Sequence, residues 1–60
     1  MYGIKLIDDI HFHIDNEDYK RIIDSINSHC EFVEVTARYT HFKDIKILIN
    51  IKNIIYICEE

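Results

Sequence analysis

Ile45–Cys58 reads IKILINIKNIIYIC and carries seven of the chain's fourteen isoleucines. Ile45, Ile47, Ile49 and Ile51 alternate with Lys46, Leu48, Asn50 and Lys52. That period of two puts the isoleucines on one face of a strand. β-Branched side chains restrict χ1 and suit a pleated surface, which argues against a helix here. Asn50-Ile51-Lys52-Asn53 can turn the chain, because Asn tolerates turn and left-handed conformations. Ile54–Cys58 follows as a second strand, with Ile55 and Ile57 on one face and Ile54, Tyr56 and Cys58 on the other. A strand apolar on both faces needs cover on both. One helix covers one face of a small sheet, so a second copy of the chain is expected on the other. The sequence therefore predicts a homodimer, with Leu48, Ile54, Tyr56 and Cys58 as its self-association residues.

The remainder of the chain follows from this pair. Tyr2–Ile7 reads as a strand, and Ile10–Ile14 alternates Ile10, Phe12 and Ile14 against His11 and His13. Asp8-Asp9 between them is either a hairpin turn or a bulge in one long strand. Asp15 is a good N-cap for a following helix, and Asp18 three residues on completes a capping box. Asp15, Glu17 and Asp18 suit the positive end of the helix dipole. Ile14 and Tyr19 occupy the staple positions, and Tyr19, Ile22, Ile23 and Ile26 form the apolar stripe. The helix is expected to end near Ser28, without a glycine cap. Cys30–Phe42 is extended, with Val33, Val35, Ala37 and Tyr39 on one face. The fold class predicted is α+β: one amphipathic helix on a four- or five-stranded, mainly antiparallel sheet, in the order β(β)αβββ. Its last three strands are expected to form an antiparallel meander.

Sixty residues make one domain, residues 1–60. A chain of this size buries only about 60% of the surface that it exposes when unfolded, so oligomerisation is a usual compensation. A hydrophobic content of 48% excludes a disordered chain, and zero Pro with one Gly excludes a Gly-rich phosphate loop. The net charge of −4, with no basic run, disfavours direct nucleic-acid binding and suits a protein partner with a basic surface. Two cysteines are too few for a secreted disulfide scaffold of this length, and MYGIKLIDD does not read as a signal peptide. No run approaches the ~20 apolar residues of a membrane span. A cytoplasmic protein is expected, with no membrane association.

Chemistry-bearing residues are few. His11 and His13 share a strand face, and Asp15 continues their row, so two imidazoles and a carboxylate are weak candidates for zinc, with His41 or His29 as a fourth group. A wet edge-strand face explains the same pattern, and no metal or other cofactor is expected. His29-Cys30 are sequence neighbours, which seldom point at each other, and Cys58 lies among isoleucines as a small hydrophobe. No catalytic residue is assigned, and an enzyme is not expected. The aromatic residues are accounted for by core packing, since Phe12 and Tyr19 lie within three residues of acids where a base-stacking platform needs cations. The exposed carboxylates Asp8, Asp9, Asp15, Glu17 and Asp18 are the expected partner-binding residues.

Two resemblances accompany these readings. Residues 49–59, INIKNIIYICE, resemble the strand that opens LytTR-type DNA-binding domains. Those domains run much longer than the match, so their function is not carried over, and a regulatory module of that kind ranks behind the other readings. In size, acidity and Ile/Lys/Asn/Asp-rich usage, seen in DDIHFHIDNED and IKILINIKNII, the chain resembles small phage-encoded inhibitors of bacterial immunity such as anti-CRISPR and other anti-defence proteins. That resemblance implies a non-enzymatic inhibitor that blocks a host nuclease, helicase or effector. The alternatives are a binder or sponge for a nucleotide signal, using Arg38, Tyr39 and His41 with Arg38 on the phosphate, and a structural or regulatory oligomeric module.

Overall fold

The structure is a computed structural model that describes residues 1–39 and 43–60. Its elements are β1 (Tyr2–Leu6), β2 (His11–Ile14), α1 (Asn16–Asn27), β3 (Phe32–Ala37), β4 (Ile45–Asn50), a 3-10 turn (Ile51–Asn53) and β5 (Ile54–Glu59). The class is α+β. The strands fall into two antiparallel sheets, β2-β1-β5 and β3-β4, and not into one. A single bridge between His13 and Arg38 joins them.

β1 and β2 form a hairpin, which settles the two readings of Asp8-Asp9. The Asp9 N–H closes the turn onto the Leu6 carbonyl at 3.2 Å, and Asp9 then adopts φ 66°. A turn followed by one left-handed residue is a common three-residue hairpin connection, and Asp tolerates that conformation. The strands pair in the register Ile4↔Phe12 and Tyr2↔Ile14. Ile4, Phe12 and Ile14 thereby share the inner face and are fully buried.

α1 begins where the capping pattern places it. The Asp15 side chain accepts the Asp18 N–H at 2.8 Å. At the other end Ser28 is the C-cap, and His29 takes the left-handed position with φ 58°. The His29 N–H donates to Ile26 O and the Cys30 N–H to Ser25 O, which is a Schellman motif closed by histidine. Ile22 is the helix residue at the centre of the core, α1 packs on β3, and Ile26 is largely exposed. Val33, Val35 and Ala37 of β3 with Ile49 of β4 complete the core, so the inward faces of both strands match their alternation.

The C-terminal region departs from expectation. β5 does not continue a meander beside β4; it crosses to pair with β1 in the register Ile4↔Ile57 and Gly3↔Cys58. The 3-10 turn causes this. Asn50 caps it by accepting the Lys52 N–H at 3.0 Å, and Asn53 O takes the Ile7 N–H at 2.9 Å, which leads the chain to the hairpin end of β1. A bulge between Lys5 and Leu6 then sets Leu6 opposite Ile54 and Lys5 opposite Tyr56, leaving Ile55 as the extra residue. Ile54 therefore packs against the core with Ile57, while Tyr56 and Cys58 face outward. The expected grouping of Ile54 with Tyr56 and Cys58 is corrected by that one inserted residue, because the side-chain period is two.

Candidate functional site

The acidic residues expected to bind a partner do not form one surface. Asp8 and Asp9 sit on the β1–β2 turn, where Asp9 is paired with Lys5 at 3.2 Å. Asp15 and Glu17 lie at the far end of β2, on the order of 15 Å away along the strand. Asp18 is 6% exposed and is removed from the set. Its carboxylate accepts the Thr36 backbone N–H at 2.9 Å, so it is committed to the fold.

Asp15 is half-buried and also engaged. Its Oδ2 lies 3.3 Å from Arg38 Nη2, and Arg38 Nη1 reaches Asp44 Oδ2 at 3.5 Å. The Asp18 backbone N–H holds the Asp15 carboxyl below its ordinary value of 3.8; desolvation opposes this and the Arg38 guanidinium adds to it. Arg38 is thus shared between two carboxylates of its own chain, and its buried Nε has no partner among the described residues. Tyr39 packs against the core, and His41 lies outside the described residues.

His11 and His13 do share the outer face of β2, with ring centroids 5.5 Å apart. Next to them on β1 stands Gly3, and Glu60 folds across this glycine to contact His13 Nδ1. A Cβ at Gly3 would come within 3.2 Å of Glu60 Cδ and 3.4 Å of His11 Nε2, so the missing side chain makes room for that contact. Among the described residues no three His, Cys, Asp or Glu come together to hold a metal ion.

The surface with the most concentrated recognition chemistry is the end of the molecule where β1 begins, β5 finishes and α1 starts. Tyr2 stacks on Tyr19 of α1, with ring centroids 3.9 Å apart and planes 7° from parallel. The Tyr2 hydroxyl donates to Glu59 Oε2 at 3.4 Å. Desolvation and then the charge of Glu59 raise the Tyr2 phenol above its ordinary 10.0. Met1, Asp15, Asn16 and Glu17 line a shallow depression of about 400 Å³ at the start of α1. Glu17, Glu59 and Glu60 are all exposed. Of these residues only Asp15 and Glu17 were marked as binding residues by the sequence. Tyr2 and Glu59 stand 57 residues apart, and only the β1–β5 pairing brings them together. Alternation assigns faces within a strand but names no neighbour, so the sequence signal for this pair was absent.

The proposed self-association residues also separate. Leu48 is 67% exposed on the outer face of β3-β4, whereas Tyr56 and Cys58 lie on the outer face of the other sheet. Among the described residues no helix is long and apolar enough to cross a membrane. Comparison with protein-family models, with curated proteins and with solved structures found no match.

Proposed function

We propose that this chain is a non-enzymatic protein-interaction module that binds a basic surface of a partner protein through its tyrosyl and acidic end. The observation that supports this is the stacked Tyr2–Tyr19 pair with Glu59 on the Tyr2 hydroxyl, at the same end of the molecule as exposed Glu17 at the start of α1. Tyrosine supplies large contact area at low entropic cost and is enriched among interface hot spots. Carboxylates around it steer a cationic partner and set orientation. The depression beside Met1 is open and shallow, which suits contact with a protein better than enclosure of a small substrate. The resemblance to small acidic inhibitors of bacterial immunity gives the partner class: a defence nuclease, helicase or effector whose basic groove would be blocked.

The test is affinity capture from bacterial lysate carrying diverse defence systems, followed by binding of the purified candidate. Glu17→Lys combined with Glu59→Lys should reduce binding at least ~10-fold, and added salt should weaken the unmodified complex. Asp8→Lys with Asp9→Lys should leave binding within ~3-fold at moderate salt. The reverse ranking of the two variants would move the interface to the hairpin end and sink this assignment.

A further inference from the structure

Four hydrogen bonds fix which way the backbone of β4 points. Thr36 donates its N–H to Asp18, away from β4, so Thr36 and its partner Lys46 are not a hydrogen-bonded pair. Arg38, two residues on, exchanges both of its backbone bonds with His13. The Ile51 N–H donates to Glu31 O, extending the β3-β4 register by one pair. In an antiparallel ladder, hydrogen-bonded pairs alternate with non-bonded ones. Ile45, Ile47 and Ile49 therefore bond to β3, and the N–H and C=O groups of Lys46, Leu48 and Asn50 point to the open side. Among the described residues no strand pairs with that side.

We propose that this edge pairs with the β4 edge of a second copy, antiparallel about a two-fold axis at Leu48, to make the four-stranded sheet β3-β4-β4-β3. The occupant follows from self-complementarity. A two-fold at Leu48 sets the three outward-pointing residues against one another: Leu48 on its own copy and Lys46 on Asn50. Four backbone hydrogen bonds use unoccupied groups, and two more, from Lys46 N–H to Asn50 O, share an oxygen that already caps the 3-10 turn. The same register sets Ile47 against Ile49 and Ile45 against Ile51. It covers the two most exposed apolar residues of β4, Leu48 at 67% and Ile45 at 49%.

The one charge on the strand, Lys46, meets a neutral amide, and the two Lys46 side chains stand roughly 14 Å apart along the strands. A two-fold at Ile47 stacks Lys46 on Leu48. The other open edge, on β5, is less suited: a two-fold at Ile57 sets the Glu59 carboxylate on exposed Ile55. An isologous contact of this kind closes at two copies. Its area is that of one strand edge, below the standard interface size, so a dissociation constant of about 10–100 µM is expected. The inference goes beyond the partner-binding reading and does not depend on it, since the two surfaces are separate.

The test is sedimentation velocity on the intact chain from about 5 µM to about 1 mM, with residue-resolved amide exchange at both limits. The expected result is a mass rising from 7.3 kDa towards twice that value. Amides of Lys46, Leu48 and Asn50 should slow at least ~10-fold at high concentration, while those of Ile45, Ile47 and Ile49 are protected throughout. Leu48→Lys should retain the circular dichroism spectrum and stay monomeric over the whole range. A second variant, Leu48→Pro, removes an outward N–H without removing a bond to β3 and should also abolish dimers. A single mass of 7.3 kDa at every concentration overturns the proposal. So does a dimer that survives Leu48→Lys, or one that slows the amides of Ile57 and Glu59 in place of those on β4.

Discussion

Asp18 stands in for a missing strand residue opposite Thr36. The His13↔Arg38 bridge sets a register in which the Thr36 N–H would next meet the Asp15 carbonyl. That carbonyl is taken by the helix, which accepts the Tyr19 N–H there at 3.0 Å. Asp18 Oδ2, one turn into the helix, reaches the orphaned donor at 2.9 Å. The two sheets part at this point, and one buried carboxylate seals the junction.

Asp18→Ala should therefore destabilise the fold by about 2 kcal/mol, the range for stranding a buried donor. Asp18→Asn, which keeps an acceptor, should cost about half as much. Urea denaturation of the two variants decides the matter. A loss of less than about 0.5 kcal/mol for Asp18→Ala, the size of a surface substitution, would show that water satisfies Thr36.

Acid should weaken the fold through Asp15. Its folded carboxyl titrates below the ordinary 3.8, held down by the Asp18 N–H and, next, by Arg38. A depressed folded value contributes stability that is complete above the unfolded value and is lost as pH falls through the folded one. Melting curves should therefore drop below about pH 4, and Asp15→Asn, which retains a cap but no titration, should flatten that part of the profile. An identical acid slope in the variant would assign the effect to other carboxylates.

His29→Gly should stabilise the chain by about 1 kcal/mol. His29 closes the Schellman motif at φ 58°, where a side chain meets its own carbonyl and glycine does not. The imidazole is exposed and makes no hydrogen bond or ion pair among the described residues, so little is lost. A lower melting temperature for His29→Gly would mean that the ring packs productively over Cys30.

Gly3→Ala tests the outer face of the three-stranded sheet. The atoms nearest the added methyl are the ends of the Glu60 and His11 side chains, both able to move. Stability should change by less than about 1 kcal/mol, while Glu60 is displaced from His13. The check is loss of the NMR contact between those two side chains. A large loss of stability would instead show a backbone that cannot accommodate the methyl group.

Much of the fold was legible because local pattern and local structure coincide. The isoleucines from Ile45 to Ile51 alternate, and β4 forms over Ile45–Asn50. Asp15 looks like a cap and is one. What failed depends on relations between distant segments. Ile54 changed face because of a bulge that exists only opposite Leu6. β5 chose β1 over β4 because the Asn50-capped turn redirects the chain, and turn residues reveal a turn without its exit direction. Asp18 was read correctly as part of the helix start, yet nothing local shows that a β3 amide would arrive beside it. The stacked Tyr2–Tyr19 pair was invisible for the same reason.

The β1–β5 pairing also has a consequence in time. β1 acquires its hairpin partner within a few residues, but its second edge is covered only when Ile54–Glu59 arrives. During synthesis the N-terminal hairpin must wait with one open side while most of the chain is made, and such long-range pairing is slow. The link Ile51–Asn53 is therefore where the last-made strand is steered away from its sequence neighbour and onto the first-made one.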